Sequence, residues 1–418
     1  IPLDKNPDSI TVDAALDNLF PKRQIKRVLL LNPPDSHAEM FRCDTALRGH
    51  YTNFPPYGLL VLANVLRSMD ISVALTNLTY EVLKQCHEDW SQNNFDYDKT
   101  WQDRLDTEII DFEPDVIGIT CMFTMTHISF KRVCEWVSRS GIPIVTGGVH
   151  PSNDPMKILN EIACVDAVFL GEAEVAFSEF VRAVNKEVSA SCINQVILNT
   201  AATYLSFDSP RVPDTTAIDI IPAWDLNGLE DATKYGRIGM FNYFKPKRER
   251  FATVLSNRGC RAQCTFCSVR NFNGKGVRQR DVESVLDELE LLVNDYGVRH
   301  IMWLDDDLLK DEKRAIALFE GIIRRNLSLT WDAGNGLIAY SCTDEVCAAM
   351  AASGCIAINI GIESGNPSIL KQVRKPGTVE KFIEAALNIR KYEQIYAAGL
   401  LMVGFPGETM RMVMDTIE

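Results

Sequence analysis

Three cysteines stand within eight residues, Cys260-Arg-Ala-Gln-Cys264-Thr-Phe-Cys267. Thiolates are soft ligands that select iron–sulfur clusters, zinc or copper(I). A closed structural zinc site wants four ligands, and no fourth Cys or His lies nearby; Cys192 and His300 are distant in sequence. Three thiolates on a [4Fe–4S] cube leave one iron open to a small chelating molecule. A zinc ion completed from afar is the other site these residues allow. Most of the 12 cysteines, Cys121, Cys134, Cys164 and Cys355 among them, lie singly on apolar stretches, as buried thiols do. That usage suits a reducing compartment, and a cytoplasmic location is expected.

The elements around the cluster explain how it is positioned. From Phe251 the chain alternates strands and helices. Strands are predicted at 251–256, 300–304, 329–333, 357–361 and 398–403, with helices at 282–296, 312–325, 343–353 and 379–392. The cysteines follow the first of these strands. Five such units predict a partial barrel of parallel strands over 251–418, with chemistry at the strands' carboxyl ends. Glu418 falls before a sixth strand, so the barrel is expected to be incomplete here.

The front half alternates too. Near-continuous apolar strands are predicted at 27–34, 71–76, 115–120, 142–146 and 165–170, with helices at 57–68, 128–138 and 174–184. Residues 84–107 are expected to be partly helical. Apolar strands of this kind mark a parallel sheet covered on both faces. A doubly wound, Rossmann-like domain is expected over 26–186, with its ligand edge at glycine-ended strands such as Thr146-Gly-Gly148 and Leu170-Gly171. Residues 1–25 read as a leader. Residues 187–250 lack clear alternation and read as a linker.

The net charge of −13 and pI near 5.1 weigh against nucleic acid as the main partner. The basic run from Lys245 to Arg250 reads as a solvated linker. No apolar run reaches membrane-span length, and the start of the chain, which lacks Met, shows no signal peptide.

The Cys-x3-Cys-x-aromatic-Cys spacing resembles the signature of the radical S-adenosylmethionine (SAM) superfamily. The likeness continues in order through Asp305-Asp-Asp307, Gly361-Ile-Glu-Ser-Gly365 and Gly404-Phe-Pro-Gly-Glu-Thr409, each after its own strand. It implies that Cys260, Cys264 and Cys267 hold a [4Fe–4S] cluster. It also implies that Phe266 lies near the adenine and Asp305, Asp306 and Asp307 near the SAM amino group. Glu363 and Ser364 would follow the ribose and methionine part, with Phe405 and Pro406 completing the SAM site. Read without the resemblance, the three aspartates are a helix cap, Glu363 a loop carboxylate, and Gly404 to Gly407 a turn.

The front half resembles the cobalamin-binding domain fused to one class of these enzymes, through Leu31 to Pro34, Pro55 to Gly58, Asp115 to Thr120, Thr146 to Pro151 and Gly171 to Glu174. The implied cobalamin contacts are Pro56, Tyr57, Gly58, Thr120, Met122, Phe123, Thr124, Gly147, Gly148, His150, Gly171 and Glu172. In the D-x-H-x-x-G pattern of other cobalamin domains the His ligates cobalt. Here Asp35 and His37 are present but Met40 replaces the Gly, and His37 is expected to be a surface-loop residue. A domain that keeps the fold without its cofactor is the alternative.

Together these likenesses imply a cobalamin-dependent radical SAM methyltransferase. It would methylate an unactivated carbon through a 5′-deoxyadenosyl radical and methylcobalamin. The alternatives are a non-methylating rearrangement, cyclisation or ring contraction. A small-molecule or peptide substrate and an electron donor such as flavodoxin or ferredoxin are the expected partners.

Overall fold

The computed structural model describes residues 2–5, 7–89, 95–200, 202–207, 218–227, 233–239 and 249–418. Most of the basic run from Lys245 lies outside them. The chain divides into two compact units, Ile1–Arg237 and Ile238–Glu418.

The first unit is built on one sheet. Its strands are β1 (Leu3–Lys5), β2 (Arg27–Asn32), β3 (Ser72–Asn77), β4 (Val116–Thr120), β5 (Ile144–Gly147), β6 (Ala167–Phe169), β7 (Val196–Asn199) and β8 (Tyr204–Phe207). Among the described residues they run in the order β1-β8-β7-β6-β5-β4-β2-β3. Strands β3, β2, β4, β5 and β6 pair in parallel. Successive residues of β2 face opposite sides, as a pleated strand requires. Val28 and Leu30 enter a core with Leu59, Leu66, Phe177 and Phe180, while Leu29 and Leu31 enter one with Trp101, Phe130 and Val133. Each fully buried aliphatic side chain contributes about 1.5–3 kcal/mol of transfer free energy, so the apolar run of β2 sits between two cores.

Two stretches differ from expectation. Residues 187–250, read as a linker, supply β7 and β8, which extend the sheet antiparallel from β6. Residues 1–25, read as a leader, supply β1, parallel to β8, and the helix Ser9–Leu19. These strands are three or four residues long, too short for a periodic signal to rise above the flanking polar residues. Trp224, also from the presumed linker, is fully buried with its ring edge-on to Tyr57. Asn64 and Arg67 bind the Ile221 carbonyl and the Asp225 carboxylate on the same stretch.

The second unit carries β9 (Phe251–Val254), β10 (Asn257–Arg258), β11 (Arg278–Gln279), β12 (His300–Trp303), β13 (Thr330–Leu337), β14 (Cys355–Glu363) and β15 (Tyr396–Leu401). Its five-stranded sheet has the order β15-β14-β13-β12-β9, all parallel. Sequential parallel order with intervening helices is the wall of a partial barrel. The helices Val282–Asn294, Glu312–Arg324, Asp344–Ala352 and Val379–Ile389 each begin with a side-chain cap, from Asp281, Asp311, Thr343 and Thr378. Strands β10 and β11 form a separate antiparallel pair beside this wall.

Candidate functional site

The cysteine loop leaves the carboxyl side of β9, and the β10–β11 pair closes its neck, with Asn257 opposite Gln279 and Arg258 opposite Arg278. Gly259 takes φ +87°, and a Cβ there would lie 2.5 Å from the Gly276 carbonyl oxygen, so the crossing demands glycine. Within the loop, the Thr265 N–H donates to the Val373 carbonyl at 3.0 Å and the Cys267 N–H to the Cys264 carbonyl at 3.2 Å. Cys260 and Cys264 are half-buried and Cys267 is exposed. Burial pushes the Cys260 thiol up to about 11. Burial also raises Cys264, against the opposing pull of the Lys375 ammonium. Among the described residues no three His, Cys, Asp or Glu side chains converge as ligands of a single ion would. A cubane does not ask for that, because each thiolate takes a different iron.

The three aspartates after β12 have different environments. Asp305 is buried and accepts the Ser256 N–H at 2.9 Å and the Ser256 hydroxyl. Asp307 is buried against Arg261, whose guanidinium lies 3.0 Å away and whose N–H donates at 3.2 Å. Arg261 also reaches the Leu309 carbonyl and the Ser341 hydroxyl, so Asp307 anchors the start of the cysteine loop. Asp306 has no hydrogen-bond partner among the described residues. Burial, and then the Asp307 charge, raise its carboxyl to about 6. A half-buried carboxylate with no countercharge is a seat for a cationic group.

Glu363 ends β14 with φ +65°, and its carboxylate meets the Lys375 ammonium at 2.9 Å. Lys375 carried no sequence signal: it lies on another segment, and only the fold sets it beside Glu363 and within electrostatic reach of Cys264. Ser364 is buried, 3.3 Å from the Thr416 hydroxyl, and accepts the Asn366 N–H at 3.1 Å. It therefore seats the helix Met410–Ile417. The exposed ring of Phe266 stands 6.1 Å from that of Phe405, which packs on Ile369 and Val373. The Pro406 carbonyl accepts from Gln372 at 2.8 Å.

In the first unit, the stretches after β2, β4, β5 and β6 all lie at the sheet's carboxyl edge, where such folds bind ligands. Because β3 and β4 flank β2, the strand order reverses there. Past Thr120, the loop exposes Met122, Phe123 and Met125 to 55, 58 and 81%. Thr124 is exposed among them. Gly148, at φ +106°, brings its backbone so close to Cys121 that a Cβ would lie 2.6 Å from that carbonyl oxygen. Ser152 ties two loops together, donating to the Gly148 carbonyl at 2.7 Å and accepting the Gly171 N–H at 2.9 Å. Gln195 donates to the Leu170 and Glu172 carbonyls. The bonds from Ser152 to Gly171 and from Gln195 to Leu170 and Glu172 were invisible in sequence because those partners lie on other loops. Gly147 lies against Phe169. Gly58 is exposed at the start of the helix Tyr57–Arg67, beside half-buried Pro56, whereas Tyr57 and Glu172 are buried.

Neither candidate histidine is a bare ligand. His150 is buried, with Nδ1 on the Thr124 hydroxyl at 3.1 Å and Nε2 on His127 Nδ1 at 3.0 Å. Both nitrogens are engaged. His37 sets Nδ1 2.6 Å from Glu39, which Arg132 grips with two bonds.

Residues 254–418 match the model of the radical SAM superfamily, and residues 48–181 match that of the B12 binding domain. This chain is a radical SAM enzyme with a B12-binding domain. It is 28% identical over 404 residues to the uncharacterized methyltransferase PH0819 of Pyrococcus horikoshii, covering 94% of this chain and 78% of that protein. It is 27% identical over 414 residues to the cytidylyl-2-hydroxyethylphosphonate methyltransferase of Streptomyces wedmorensis, covering 92% and 74%. The structure of the radical SAM methyltransferase TsrM from Kitasatospora setae, with cobalamin and a [4Fe–4S] cluster bound, shares the fold. Its TM-score is 0.71 at 20% identity, over 94% of this chain and 70% of that one.

The radical SAM domain calls for a [4Fe–4S] cluster and SAM, and the B12-binding domain for cobalamin. The residues present fit these groups. Three thiolates share one anchored loop, an unmet carboxylate stands at the next strand end, and an apolar, glycine-bordered loop lies exposed at the carboxyl edge of the first sheet.

Proposed function

We propose that this radical SAM enzyme methylates an unactivated carbon of a small-molecule or peptide substrate, with cobalamin as the methyl carrier. The observation that carries this reading is the pairing, in one chain, of a three-thiolate loop with an unmet carboxylate and a B12-binding domain. The methyltransferase relatives span both domains. When bound, the cluster supplies the electron that breaks SAM into methionine and a 5′-deoxyadenosyl radical, and cobalamin supplies methyl-transfer chemistry.

The chain's own residues do the positioning. Cys260, Cys264 and Cys267 hold the cluster, and Asp307 with Arg261 fixes their loop. Of the three aspartates, Asp306 is the one free to receive the SAM amino group. Lys375 balances Glu363 beside the thiolates, while Phe266 and Phe405 offer ring faces for the adenine. Met122, Phe123 and Thr124 face the corrin. Electrons come from a small redox protein such as flavodoxin or ferredoxin. No helix among the described residues is long and apolar enough to cross a membrane.

The test needs no knowledge of the substrate. Anaerobically reconstituted enzyme is given reductant, cobalamin and SAM labelled in its methyl group. Label recovered on the bound corrinoid, together with 5′-deoxyadenosine, supports methyl transfer. 5′-Deoxyadenosine without labelled corrinoid favours a rearrangement or cyclisation.

A further inference from the structure

Four side chains at the carboxyl edge of the first sheet form one continuous hydrogen-bonded chain. Thr124 Oγ1 lies 3.1 Å from His150 Nδ1, His150 Nε2 lies 3.0 Å from His127 Nδ1, and His127 Nε2 lies 2.9 Å from Glu161 Oε2. His150 is buried in the middle, while Thr124 and Glu161 reach solvent at the two ends.

Counting protons fixes the direction of every bond. A neutral imidazole carries one N–H, and an ionised carboxylate only accepts. With Glu161 ionised, His127 must donate from Nε2 and accept at Nδ1. His150 must then donate from Nε2 and accept at Nδ1. The Thr124 hydroxyl therefore donates inward, and its oxygen offers only lone pairs outward. One added proton reverses the whole chain. His127 then donates from both nitrogens, and its charge lies against Glu161. His150 accepts at Nε2 and donates from Nδ1 into Thr124, whose O–H turns outward. His150 changes tautomer without ever carrying charge. Burial and then the neighbouring His127 hold its imidazole below the ordinary range, consistent with that neutral role. The other charged groups facing His150 are Lys157, Asp154 and Glu161.

The outer end of this chain is placed to be felt by a ligand. Thr124 puts one hydroxyl among exposed Met122, Phe123 and Met125. We propose that Thr124 is a hydrogen-bonding contact to cobalamin whose polarity is set by the Thr124–His150–His127–Glu161 relay. It accepts from a corrin amide N–H when the relay is unprotonated and presents a donor when the relay holds one extra proton. This rests on the cobalamin reading of the first unit. His127 and Glu161 thereby become positioning residues, acting through His150.

The test has two readouts, neither of them activity. The chain holds six histidines, few enough for selective 15N labelling and tautomer assignment by NMR. Between about pH 8 and pH 5.5, the span in which imidazoles titrate, the proton on His150 moves from Nε2 to Nδ1 while the ring stays neutral. In Glu161→Gln that swap moves to lower pH. In parallel, anaerobic titration with cyanocobalamin, whose axial ligand does not titrate here, gives the affinity. Wild-type protein binds about five-fold more weakly at the acid end, the size of one hydrogen bond. Thr124→Val shows no such pH dependence. A His150 tautomer that stays fixed across the range overturns the relay. A tautomer swap with equal pH profiles for wild type and Thr124→Val overturns the cobalamin contact alone. Failure of every form to bind cobalamin at any pH overturns the underlying cobalamin reading as well.

Discussion

At the residue scale, carboxylates in neighbouring positions have different tasks. Asp305 and Asp307 are tied to Ser256 and Arg261, whereas Asp306 has no hydrogen-bond partner among the described residues. Asp306→Asn is therefore expected to weaken SAM binding by about ten-fold or more, the worth of a charge-assisted hydrogen bond, while iron content stays normal. Asp307→Asn is expected to lower iron retention first, because it frees the start of the cysteine loop. Isothermal titration with SAM and iron analysis of both variants separate these effects; equal losses in both would contradict the division. Cys264→Ala should abolish cluster assembly and SAM cleavage together. The cysteines were legible because their spacing is local. Lys375, the Ser152 bond to Gly171 and Gln195 were not, since those contacts form only after separate segments meet. The chain of Glu161, His127 and His150 was equally hidden, although His150 itself stood out in the Gly-Gly-x-His segment.

At the scale of elements, the long apolar strands were readable and the short ones were not. Strands β2, β4 and β5 are buried on both faces and need near-continuous apolar residues, so composition marks them. Strands β1, β8 and β7 are short and lie together at one end of the sheet, where β7 pairs with β6, β8 with β7 and β1 with β8. The sequence hid the neck of the cysteine loop for a similar reason, since β10 and β11 have two residues each. Gly259→Ala must displace the Gly276 backbone, and it is expected to reduce iron loading while leaving the absorbance of bound cobalamin unchanged. Leu30→Ala should cost about 2–5 kcal/mol in denaturant unfolding, since Leu30 is fully buried on one face of β2. The loop after β2 holds a pH-dependent cost. Burial raises Asp35 to about 6. The unfolded chain ionises near the ordinary carboxylate value, so stability falls as pH rises from about 4 through about 6 and stays lowered above it. Asp35→Asn removes that loss. Its unfolding temperature should match the wild type near pH 4 and exceed it at pH 8; the opposite order would refute the burial argument.

At the scale of the whole molecule, the candidate ligands for the two cofactors come from separate compact units. Cluster thiolates, Asp306 and the two phenylalanines belong to the unit after residue 237, and the apolar loop with its histidine chain to the unit before it. A protein with all three cysteines changed to alanine should thus lose its iron absorbance and still bind cobalamin with wild-type affinity. The most direct test of the central claim is electron paramagnetic resonance of the reduced, anaerobically reconstituted enzyme before and after SAM is added. A site of three thiolates with one open iron predicts about four irons per chain and a signal whose g-values shift when SAM chelates the open corner. A single zinc ion per chain, or a cluster signal indifferent to SAM, would contradict it.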